Sequence, residues 1–177
     1  MRTCSTTWPR SHFRGPRRGA GLLQRSPTAR VAIVTTLRNI PKQMLSSFVG
    51  WHLRLGFVRL YLYFDDPNDA GIADARQLCR EAQQHGYGAD CVHLIPVDHT
   101  IQSEWSTLET ARRWDLWAGE DLWAAVSHHV EVRQLLNAEH ALRRAYADGD
   151  VEWLLHIDSG DTTRPGGAGR MALNPSD

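Results

Sequence analysis

Residues 1–64 contain no aspartate or glutamate, although the chain of 177 residues is formally neutral with 20 basic and 20 acidic side chains. The first carboxylate along the chain is Asp65, and every acidic side chain follows it. Seven cations fall in the first 30 residues, within a segment rich in Ser, Thr, Pro and Gly. A basic arm of this kind can read as a nucleic-acid contact, but the composition argues for a disordered leader over residues 1–29 and no nucleic-acid partner. Arg-rich, Ser-rich and acid-free is also the composition of an organellar transit peptide, or of a misassigned gene start. The segment lacks the apolar stretch that a secretory signal needs. No run approaches the ~18 apolar residues of a membrane-spanning helix, so no transmembrane segment is expected. Cysteine is scarce: Cys4, Cys79 and Cys91 form no Cys-x-x-Cys pair. They read as free thiols and fix no redox compartment.

What is present alternates between apolar runs and helical periodicity. Val31-Ala32-Ile33-Val34-Thr35-Thr36-Leu37 is a short β-branched run suited to a buried strand. Pro41 suits the first turn of a helix whose apolar positions Leu45, Phe48, Val49, His52, Leu53 and Leu55 recur at helical spacing until Gly56. Val58 to Phe64 is a second buried strand, broken by Asp65-Asp66-Pro67. A helix from Ile72 to Gln84 and a strand from Cys91 to Val97 follow. Asp98 to His129 holds four tryptophans without a clear period and reads as an insertion of short helices. Glu131 to Tyr146 carries the strongest helical pattern, with Val132, Leu135, Leu136, Leu142 and Tyr146 as the expected apolar face. Arg133, Asn137, His140 and Arg144 mark the expected polar face. Glu152 to Ile157 is a fourth, buried strand. Such alternation predicts an α/β fold with a parallel, Rossmann-like sheet. Residues 162–177 are Gly, Pro and Arg with little bulk, and a disordered tail is expected there.

Ligands of open α/β sheets sit outside the carboxyl ends of the strands. Two groups of carboxylates fall there: Asp65, Asp66 and Asp69 after the second strand, and Asp158 and Asp161 after the fourth. The first group suits a base or ribose, whose N–H and hydroxyl groups need acceptors. The second suits Mg²⁺ or Mn²⁺, hard cations that take oxygen ligands and share them with substrate phosphates. Of the nine histidines, His156 shares a strand face with Asp158 and reads as a core or supporting side chain rather than a ligand. His140, on the polar helix face, reads as solvated. The tryptophans read first as core and second as stacking surfaces.

Three series carry a family resemblance. They are Phe48-Val49-Gly50-Trp51-His52-Leu53-Arg54-Leu55-Gly56, then Leu62-Tyr63-Phe64-Asp65-Asp66, then Arg133-Gln134-Leu135-Leu136-Asn137-Ala138 leading to Trp153-Leu154-Leu155-His156-Ile157-Asp158. In this order they resemble family 2-type and family 92-type glycosyltransferases, over residues 30–161. The resemblance implies a GT-A-type half domain incomplete at its carboxyl end, a nucleotide-diphosphate sugar donor, and a divalent metal, Mn²⁺ or Mg²⁺. It implies that Asp65 or Asp66 contacts the nucleoside and that Arg133, Gln134 and Asn137 face the donor. Asp158 would open the metal-binding Asp-x-Asp. The acceptor, whether glycan, lipid or protein, is not specified.

The chain departs from that pattern at Gly160, where the family has its second metal-binding aspartate. Either Asp161 replaces it, or the site is weakened. The family's acceptor-binding half is expected to lie beyond residue 161. Two other readings stay open: a non-catalytic nucleotide- or sugar-binding module, and a metal-dependent phosphoester hydrolase built on His156, Asp158 and Asp161.

Overall fold

A computed structural model describes residues 29–117 and 119–158. All but residue 29 of the expected leader over residues 1–29, and Gly160, Asp161 and the expected tail, lie outside these residues. The element order is β1 (Val31–Leu37), α1 (Lys42–Leu55), β2 (Arg59–Phe64), α2 (Gly71–Gln84), β3 (Val92–Pro96), α3 (His99–Trp105), α4 (Glu109–Trp117), α5 (Leu122–His128), α6 (Val130–Asp148) and β4 (Trp153–His156). The strands form one sheet in the order β3-β2-β1-β4, and every pairing is parallel. The chain is therefore an α/β, Rossmann-like fold, as its alternation of strand and helix predicts.

β1 and β2 are nearly continuous apolar runs because both of their faces are covered. Ile33, Leu37, Leu60 and Leu62 pack beneath α1 and α2. Ala32, Val34, Tyr61 and Tyr63 pack on the opposite face, beneath α6 and the short helices. Local signals close the elements where the sequence places them. Gly56 takes a left-handed φ of 94° and its amide bonds the carbonyl of Leu53, ending α1. The carboxylate of Asp98 accepts the amides of Thr100 and Ile101 to start α3, and Asp121 does the same for α5 through Ala124. The region from Asp98 to His129 is a run of short helices, as expected, with Trp105 and Trp114 in the core and Trp123 exposed. Cys79 and Cys91 are free thiols, and burial pushes Cys79 up to about 11. Among the described residues no helix is long and apolar enough to cross a membrane.

Four expectations are corrected. β4 is an edge strand, not a buried one. Among the described residues it pairs only with β1, and Trp153 and Leu155 are 64% and 44% exposed. α6 is also rotated relative to its apolar periodicity. Val132 and Leu136 are buried, but Leu135, Leu142 and Tyr146 are exposed, while Asn137 and His140 are fully or nearly buried. The sheet offers polar partners at that place (Thr36, Tyr63 and Asp65), and their bonds to α6 offset burial of its polar side chains. His140 is thus a buried, doubly bonded ring rather than a solvated one. His156 is exposed on the edge strand rather than part of the core.

Burial sets an acid limit to this fold. His52 on the buried face of α1 and His93 on β3 both titrate below the ordinary 6.5, chiefly because burial disfavours the charged ring. Below that value the unfolded chain binds protons that the folded chain refuses. Stability is therefore full above it and is lost as pH falls through it, until the buried rings protonate as well. The melting temperature should fall between about pH 8 and about pH 5, and fall less in His52→Gln. A flat profile in the unmodified chain would contradict this assignment.

Candidate functional site at the switch point of the sheet

The strand order reverses between β1 and β4, since β2 and β3 lie on one side of β1 and β4 lies on the other. Their crossovers run on opposite faces, so the carboxyl ends of β1 and β4 are where a ligand crevice is expected in an open sheet of this kind. α6 crosses behind it. Asn137 donates from Nδ2 to Thr36 Oγ1 at the end of β1, at 2.9 Å. One turn earlier, Gln134 donates from Nε2 to Asp158 Oδ1 just beyond β4, at 3.0 Å. Arg133 reaches the end of β2, where Nε and Nη2 engage the two oxygens of Asp65 at 2.6 and 3.0 Å. Its Nη1 donates to the carbonyl of Val126. These three side chains share one stripe of α6, and the rotation of the helix aims that stripe at the crevice.

The structure separates the acidic residues after β2 into three roles. Asp65 has a side chain only 4% exposed and is paired bidentately with Arg133, itself 14% exposed, with Arg38 at 3.7 Å as a second cation. Asp69 is buried and uses both oxygens on backbone amides. One accepts from Asn39, whose φ is 50°, and the other from Gly71. It clamps the β1–α1 loop to the start of α2, and a Cβ at Gly71 would stand 3.0 Å from its oxygen. Asp66 is exposed, and one of its oxygens accepts the amide of Asn68. Of the three, Asp66 is the carboxylate with a free oxygen facing solvent.

Asp158 is exposed at the opposite side of the crevice. Asp161, its expected partner in metal binding, lies outside the described residues, as does Gly160. Among the described residues no group of three or more His, Cys, Asp or Glu side chains converges on one point. One carboxylate at the crevice still fits a cation that draws its remaining oxygens from substrate phosphates and water. Asn137 adds an unusual feature. The residue is completely buried, yet its Oδ1 has no partner among the described residues.

Thr36, Arg38 and Asn39 were not singled out from the sequence. Their signal was positional: all three fall at or just after the carboxyl end of the first strand, where a ligand is expected. No family model, curated protein or solved structure matches the chain. Fold and site define its class: an α/β domain of Rossmann-like type with polar side chains gathered at the topological switch point.

Proposed function

We propose that this crevice binds a nucleoside-diphosphate sugar and that the chain is the donor-binding part of a metal-dependent, GT-A-type glycosyltransferase. The observation that supports this reading best is the rotation of α6. The helix exposes three large apolar side chains and turns Arg133, Gln134 and Asn137 toward the strand ends, an arrangement unfavourable for packing alone. The unpaired Oδ1 of Asn137 is enclosed and is an acceptor for a buried water behind the site. Asp66 would accept from the nucleoside, and Arg38 with Arg133 would supply positive potential for the diphosphate. Asp158 would hold Mn²⁺ or Mg²⁺, with Asp161 if that residue reaches the same point. The cation would offset charge on the departing diphosphate.

The test is calorimetric titration with uridine and guanosine diphosphates, in Mn²⁺ and in excess chelator. Binding should require the cation. Asp158→Ala should weaken Mn²⁺-dependent affinity at least about tenfold, equivalent to ~1.4 kcal/mol. Failure of either diphosphate to bind under both conditions overturns the reading. A second reading, a nucleotide-binding module without transfer, is favoured by Gly160, which cannot ligate through a side chain. It predicts cation-dependent binding without hydrolysis of a donor sugar. A phosphoester hydrolase centred on His156 and Asp158 predicts ester cleavage that is indifferent to Asp66→Ala.

A further inference from the structure

We propose that Gln134 is a positioning residue for a cation at Asp158: an uncharged donor that fixes the carboxylate by one oxygen and leaves the other for the metal. This role rests on the reading of Asp158 as the side chain that would hold Mn²⁺ or Mg²⁺. It accounts for how one exposed carboxylate is held ready for that task.

The carboxylates at the strand ends differ in what holds them. Asp65 meets the guanidinium of Arg133 with both oxygens, so its charge is already matched. Asp69 gives both oxygens to backbone amides. Asp66 accepts the amide of Asn68 within its own turn. Asp158 is held from another element by a side chain without charge, since Nε2 of Gln134 donates to its Oδ1 at 3.0 Å. An ionised carboxylate only accepts, so the amide must present its NH₂ group to it. Lysine or arginine at position 134 would orient Asp158 as well, but its charge would repel a divalent cation bound there. The amide orients the carboxylate without that repulsion.

The backbone brings the two side chains together. The amide of Ile157 bonds the carbonyl of Val34 at 3.1 Å, so the chain stays on β1 up to the residue before Asp158. α6 is fastened at positions on either side of Gln134, by Arg133 on Asp65 and by Asn137 on Thr36. The side chain of Asp158 is itself exposed, and a surface carboxylate without a partner exchanges among its rotamers. A cation that draws few oxygens from the protein gains most when the one supplied is already in place. Hydrogen bonds that orient a ligating carboxylate are typically worth 10–100-fold in metal affinity.

Mn²⁺ alone is the probe, titrated into the full chain and followed by water-proton relaxation, which reports the bound ion. Gln134→Met keeps the length of a half-buried helix side chain and removes its donor. It should raise the Kd for Mn²⁺ about tenfold or more, with the circular dichroism spectrum unchanged. Asp158→Asn still offers Gln134 a carbonyl oxygen but loses the charge, and should raise the Kd at least as much. In the Asp158→Asn background Gln134→Met should have no further effect, because Gln134 acts through the carboxylate. Unchanged Mn²⁺ affinity in Gln134→Met would reduce the bond to a tether between α6 and the end of β4, and overturn the proposal. Additive losses in the double variant would also overturn it, by placing Gln134 against the cation itself. So would Mn²⁺ uptake that is absent in the unmodified chain or indifferent to Asp158→Asn. The donor-sugar reading fails separately: absence of diphosphate binding sinks it even where the Mn²⁺ titrations support Gln134.

Discussion

Arg133→Met is expected to destabilise the protein by about 3–5 kcal/mol, because it strands a buried carboxylate. Asp65 is almost wholly enclosed, and its two oxygens take two parallel bonds from Arg133. With the guanidinium gone, Asp65 would have to ionise without a close partner or take up a proton. Arg38 is an inadequate substitute. It is exposed and stands 3.7 Å away, and Arg38→Ala alone should change stability by less than about 1 kcal/mol. The pair need not be a net stabiliser compared with apolar residues. Asp65→Leu combined with Arg133→Met should therefore recover most of the loss. Urea unfolding of the two single variants and the double variant measures this cycle, provided the m-value stays constant. A loss below about 1 kcal/mol in Arg133→Met would mean that the pair behaves as a surface ion pair, and would remove the physical basis for treating it as a fixed part of the crevice.

This same pair shows where sequence reasoning stops. Strand runs such as Val31–Leu37 announce themselves because a strand covered on both faces must be apolar at every position. The positions of Gly56 and Gly149 follow as directly, since each ends a helix in the left-handed region. Asp65, Arg133, Asn137 and Asp158 can be selected from the chain as residues near strand ends. Their partners cannot, because Asp65 and Arg133 are 68 residues apart and Asn137 and Thr36 are 101 apart. The rotation of α6 is set by those tertiary bonds. Its hydrophobic periodicity points to Leu135, Leu142 and Tyr146 as core, and the sheet overrides it by offering Thr36, Tyr63 and Asp65.

The edge position of β4 is hidden for a related reason. Trp153-Leu154-Leu155 has the composition of a central strand, and only the order β3-β2-β1-β4 shows that one side of it is unpaired among the described residues. Apolar composition reports that a surface prefers cover, without identifying what provides it. Similarly, the acidic cluster after β2 looks uniform in sequence. Its division into an ion pair, a loop clamp and a solvent-facing carboxylate depends on side chains contributed by α6 and by the β1–α1 loop.

His140→Leu should show how far the rotation of α6 depends on its buried bonds. Tyr63 lies wholly inside the protein, and burial pushes its phenol far above its ordinary range, so it stays protonated. Glu104 can only accept as a carboxylate, so Nε2 of His140 carries the proton that bonds it at 2.6 Å. In the neutral ring Nδ1 then accepts the Tyr63 hydroxyl, also at 2.6 Å. Leucine at position 140 would leave that hydroxyl buried and unpaired, a loss of about 1–3 kcal/mol. Adding Tyr63→Phe removes the unpaired group, so the double variant should be more stable than His140→Leu alone, with a coupling energy of about 0.5–3 kcal/mol. Simple additivity in urea unfolding would sink the argument. The consequence for function runs through geometry. Arg133, Asn137 and His140 lie along one stripe of α6, and loss of the His140 bond frees the helix to turn its exposed leucines inward. Diphosphate affinity should then fall in His140→Leu although His140 lies away from the crevice. It should recover only if the double variant keeps Arg133 on Asp65.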